Sequence, residues 1–128
     1  MTELLDPEII EHESSTASMA TVAAFIAEQL GRQATAYLSG LKEAAQVSRW
    51  IDGTEPRGQI QRVRLRHAYT AARMISAAYD KPTVEAWFFG SNSRLDGEAP
   101  AWVLRHAESP DDLRMVVPAA KAFARASE

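Results

Sequence analysis

Hydrophobic positions along the chain recur at three- and four-residue intervals and never alternate for long, so the pattern predicts helices and no sheet. The first stripe is Val22, Phe25, Ile26 and Leu30, in a helix that starts near Ser18 or Thr21 and stops at Gly31. A short helix over about 33–38 follows, and Ser39-Gly40 signals a turn. Ala44, Val47, Trp50 and Ile51 share one face of a helix over about 42–51. Asp52-Gly53 closes it, because glycine can take the left-handed position after a helix. Beyond the loop GTEPRG, Ile60, Val63, Leu65, Ala68, Ala72, Ile75 and Ala78 draw one dominant stripe along a helix over about 59–79.

Pro82 suits the first turn of a helix over about 82–89, and GSNSRLDGEAP reads as a loop. Pro100 opens a short helix to about Arg105. Ser109-Pro110-Asp111-Asp112 combines an N-cap, a proline at the first position and first-turn acids. It starts a last helix toward Ala126, which Pro118 is expected to kink or split. Residues 1–17 are polar and acidic and read as a mobile arm with a short helical turn at most. The expected fold is all-α: an N-terminal helix-turn-helix bundle of four helices plus a small C-terminal helical unit. Its boundaries are an arm over 1–17, a DNA-binding domain over 18–80, and a dimerisation or partner-binding domain over 81–128.

A chain of 128 residues is one domain, or one with an appendage. No apolar run approaches the roughly 20 residues of a membrane span, and the acidic N-terminus lacks the basic region of a secretory signal. There are no cysteines, which excludes disulfides, zinc fingers, iron–sulfur clusters and thiol catalysis. The expected setting is cytoplasmic, with no membrane partner. The net charge of −3 hides a pattern. Residues 1–30 carry six acids and no base (−6), residues 31–75 eight bases against three acids (+5), and residues 76–128 six bases against eight acids (−2). The middle block is a basic island, and local potential is what meets a phosphate backbone.

Within that island lies QATAYLSGLKEAAQVSRWIDG, residues 33–53. Small faces on the first helix (Ala34, Ala36) let a second helix cross it closely, and Gly40 frees the turn. Val47 and Trp50 point inward on the second helix. Glu43, Gln46 and Arg49, spaced by three, point outward with Ser48 beside them. Arginine can take two acceptors of guanine, and glutamine can pair with adenine. The segment resembles the Xre (phage-repressor-like) helix-turn-helix family, whose V-S-R-W-type helix is likewise followed by a glycine and a proline-containing loop. The distance from Gly40 to Val47 is one residue longer than that family's usual pattern, and Tyr37 stands where alanine is usual. The start of the reading helix therefore stays open, and Lys42 is either a base or a phosphate contact. Base-contact candidates are Lys42, Glu43, Gln46, Ser48 and Arg49. The resemblance implies Gln33 as a phosphate contact, with Arg32, Thr35, Arg57 and Arg62 as neighbouring candidates.

Residues 84–128 resemble the C-terminal region of the MbcA/ParS/Xre antitoxin family through Trp87, Asn92, Leu95, Gly97, Pro100, Leu104 and Val116. The resemblance implies double-stranded DNA as a partner; a homodimer is expected because a single module makes few contacts, with the apolar C-terminal half as its surface. It also implies a second reading: an antitoxin that inhibits a RES-type NAD-degrading toxin through its C-terminal region and represses its own operon, with Lys121–Glu128 nearest the toxin. Trp87-Phe88-Phe89 reads first as a core anchor, with one edge as an interface hot spot. Trp87, Phe88, Phe89 and Trp102 are the candidates for a partner or dimer interface. His12, His67 and His106 have no metal-ligand spacing, and Asp111-Asp112 reads as helix-terminal charge. No catalytic residue, metal site or cofactor is expected. The expected function is a sequence-specific DNA-binding repressor.

Overall fold

The computed structural model describes residues 6–126. They form α1 (Pro7–Thr16), α2 (Met19–Leu30), α3 (Arg32–Ser39), α4 (Ala45–Ile51), α5 (Gln59–Ser76), α6 (Lys81–Phe89), α7 (Pro100–His106) and α8 (Val116–Arg125). Two single 3-10 turns, Ser93–Leu95 and Pro110–Leu113, complete the set. There is no strand among the described residues, and no helix is long and apolar enough to cross a membrane.

The longest helix, α5, spans about 27 Å at 1.5 Å per residue and is the axis of the fold. α1, α2, α3 and α8 all pack on it. Its N-terminal half keeps the single predicted stripe. From Ala68 to Ile75 nearly every position is buried, because Ala68, Ala71 and Ala72 are small enough to admit helices on several sides.

One hydrophobic cluster runs from Ile10 through Trp50, Leu65 and Phe88 to Ala120. It crosses residue 80 freely: α8 packs on α5, and α7 on α3. The C-terminal helices are therefore built onto the N-terminal ones.

The acidic N-terminal segment is corrected most. Residues 7–16 are a docked helix where a mobile arm was expected; residues 1–5 of that arm lie outside the described residues. Asp6 caps α1 by accepting from the Glu8 amide at 2.9 Å, and Pro7 fills the first turn. Ile10 and Ser14, one turn apart, are buried against the core. Arg66 donates to the Ser14 carbonyl at 2.7 Å. Glu13 meets Arg73 at 3.7 Å, and Glu11 meets Lys121 at 3.0 Å.

The last predicted helix divides in two. A 3-10 turn ends at Leu113 and α8 begins at Val116. Pro118 then lies in the first turn of α8, where its missing N–H has no intrahelical partner to lose. The predicted start at Ser109 holds, since the Asp112 carboxylate accepts from the amides of Glu108 (2.9 Å) and Ser109 (3.2 Å).

Candidate nucleic-acid interface

α3, a five-residue turn and α4 form the part of the molecule that stands closest to the sequence expectation. Gly40 ends α3 at φ +93°, and the Leu41 amide bonds back to the Ala36 carbonyl at 2.8 Å. The turn then continues to Ala44, and α4 begins at Ala45, three residues later than predicted. Lys42 and Glu43 are thus exposed residues of the turn, and the expected Glu43–Gln46–Arg49 helical row begins only at Gln46. Val47 is fully buried and Trp50 almost so, holding α4 against α2.

The outward side chains are fixed in pairs. Arg49 donates to the Gln46 side-chain carbonyl at 3.0 Å, and Arg32 reaches from the start of α3 to the Ser48 hydroxyl, also at 3.0 Å. Gln33 and Arg57 are exposed beside them. Two of the phosphate-contact candidates belong to the fold instead. Thr35 is completely buried, and its hydroxyl donates to the Gly31 carbonyl at 2.7 Å. Arg62 is half-buried and donates to the Pro56 carbonyl at 2.6 Å, which ties the 53–58 loop to α5.

The basic island divides accordingly. Arg32, Lys42, Arg49 and Arg57 are exposed, and none of them meets a carboxylate of the described residues within 4 Å. The other four bases of the island, Arg62, Arg64, Arg66 and Arg73, are half-buried on α5 and engage carbonyls or Glu13. Arg64 bridges the Ser39 carbonyl (3.1 Å) and the Ala107 carbonyl (2.7 Å). Arg105 of α7 joins it, donating to the carbonyls of Tyr37 (2.7 Å) and Leu41 (3.0 Å) with its guanidinium 4.7 Å above the Tyr37 ring. Two cations thus sit at the negative end of the α3 dipole. Burial, and secondarily the neighbouring Arg105, pull the Arg64 pKa below its ordinary value. Gly40 is needed for its positive φ, and a Cβ there would lie 2.5 Å from the Arg64 guanidinium, so any side chain would also displace that arginine from the end of α3.

Arg64 and Arg105 have no signature in the sequence; only the folded chain brings them to the end of α3. The α1 helix had one, in Asp6-Pro7 ahead of Ile10 and Ser14. Of the interface candidates in the C-terminal half, Trp87 and Phe88 are buried and serve the core. Phe89 and Trp102 are exposed, at 49% and 42%. Phe89 lies against Tyr37, and Trp102 stacks on His106 with centroids 4.2 Å apart. Among the described residues no group of three His, Cys, Asp or Glu is placed to hold a metal ion.

No family model matches this chain, and neither a curated protein nor a solved structure matches it.

Proposed function

We propose that the protein is a sequence-specific double-stranded DNA-binding regulator, a repressor, that reads the major groove with α4. One observation carries this reading. α4 buries Val47 and Trp50 while presenting Gln46, Ser48 and Arg49 outward, and Arg32, Lys42 and Arg57 are exposed without an ion pair among the described residues. Arg49 and Gln46 are the base readers. Arg32, Gln33, Lys42 and Arg57 position the phosphates. A single module of this size makes few contacts, so the working form is a homodimer on half-sites about one helical turn apart.

The test is selection from a pool of randomised duplexes, with sequencing of the retained fraction at two salt concentrations. An enriched motif supports the reading, and a two-fold symmetric one supports the dimer. Retention without enrichment, or none, contradicts it.

A second reading rests on the exposed rings of Phe89 and Trp102 in the C-terminal half. Large exposed aromatic side chains anchor protein partners. Following the antitoxin resemblance, that partner is a RES-type toxin. Co-purification with a toxin encoded beside this chain, lost in a Phe89→Ala, Trp102→Ala variant, supports this reading.

A further inference from the structure

A cleft of about 430 Å³ opens between α6, the 90–95 loop and α8, on a part of the molecule that the DNA reading does not use. Its wall is apolar on the α6 and α8 side and polar along the 90–95 loop. Trp87 and Phe123 supply rings, and Ala86, Ala119 and Ala122 leave the space between them open. Phe123 is held by Tyr79, whose ring lies 4.8 Å away and whose hydroxyl donates to the Phe123 carbonyl at 3.2 Å. Trp87 is held edge-on by Phe88.

The rim is a loop fixed by its own hydrogen bonds. The Asn92 side-chain oxygen accepts from the Arg94 amide at 2.9 Å, and the Asn92 carbonyl accepts from Leu95 and Gly97. The Ser91 hydroxyl donates to the Gly97 carbonyl at 2.8 Å. Asp96 is held at φ 57°, the one non-glycine residue with positive φ among those described. Backbone held in this way persists only where its surroundings over-determine it.

The cleft offers donors and no carboxylate. The Trp87 indole Nε1 is fully buried with no hydrogen-bond partner among the described residues, so it adds no donor to the surface of the cleft. The donors at its rim are the Asn92 side-chain nitrogen and the exposed Arg94 guanidinium, neither of which has a partner among the described residues, and no Asp or Glu lines the space. Donors on one side of a cleft and aromatic rings on the other select a ligand with acceptor oxygens and a planar body. We propose that this cleft binds a small aromatic monocarboxylate, its carboxylate toward Arg94 and Asn92 and its ring between Trp87 and Phe123.

Benzoate is the probe, and the readout is the Trp87 indole N–H resonance of the full chain, assigned with Trp87→Phe. The resonances of Trp50 and Trp102 serve as internal controls. Benzoate is expected to move the Trp87 signal saturably and leave the other two in place. Benzamide, which lacks the charge, is expected to bind at least about tenfold more weakly, as is benzoate to Arg94→Gln, the usual worth of one charge-assisted hydrogen bond. Ala122→Leu fills the cleft and abolishes the shift; Arg94→Gln, at an exposed position, keeps the test valid should that variant misfold. No saturable shift with benzoate overturns the proposal. So does equal affinity for benzamide, equal affinity in Arg94→Gln, or an equal shift with inorganic phosphate.

Discussion

The eight basic residues between Arg32 and Arg73 belong to one stretch of sequence and to two physical environments. On α3, α4 and the loops around them, Arg32, Lys42, Arg49 and Arg57 face solvent. On α5, Arg62, Arg64, Arg66 and Arg73 point into the seams between helices and are held by carbonyls and by Glu13. The acids divide as well. Glu11 and Glu13 join α1 to the body, whereas Glu43, Asp52 and Glu55 remain exposed on the same stretch of chain as the four exposed bases. Four exposed bases against three exposed acids leave that surface a net charge of only +1 where the sequence block showed +5. A charge count along a segment is therefore a poor measure of surface potential when arginine can serve as a structural strut. Any preference for DNA on this face has to come from base contacts more than from long-range attraction.

This contrast can be broken at several points. The largest effect is expected at the frame of the exposed region: Trp50→Ala removes a buried ring and costs about 3–5 kcal/mol of stability by chemical denaturation. An unchanged unfolding midpoint would mean that α4 is not packed as described. Next is the interior set. Arg64→Met leaves the carbonyls of Ser39 and Ala107 without their donor, with an expected loss of about 2–3 kcal/mol. DNA selectivity is expected to persist in that variant wherever it remains folded.

The exposed set behaves in the opposite way. Arg49→Ala is expected to keep the melting curve and, if α4 reads DNA as proposed, to cost roughly 1–3 kcal/mol on a preferred duplex and relax one base position. An equal loss on every sequence would assign Arg49 to the backbone. The smallest effect concerns Asp80, which caps α6. The Thr83 hydroxyl, and then the Thr83 amide, hold its carboxyl below the ordinary aspartate pKa. That contribution is complete above the ordinary carboxylate range and disappears as pH falls through the lowered value. The stability difference between the native chain and Asp80→Asn is therefore expected to close in acid, and a difference that persists there would remove the carboxylate from the cap.

Much of the fold was legible because it follows local rules. Asp80-Lys81-Pro82, Ser109-Pro110 and the stripes of α2, α4 and α5 each announce a helix with no help from the rest of the chain. α1 was missed although Asp6-Pro7 announces it, because the acidic run around it outweighed two buried positions four residues apart. The outward face of α4 was legible for the same local reason, through Val47 and Trp50. The fates of Thr35, Arg62 and Trp87 were not. Each depends on which carbonyl or helix arrives opposite, and that is a property of the assembled bundle.

The most direct test of the division between exposed and interior bases is the salt dependence of duplex binding. With Arg32, Lys42 and Arg57 as the phosphate contacts, log K against log salt is expected to fall with a slope of about −3 per protomer. A slope near −7, the value of about 0.9 per base for the whole island, would mean that the α5 arginines leave their carbonyls for DNA. Absence of salt-dependent binding would contradict the DNA reading itself.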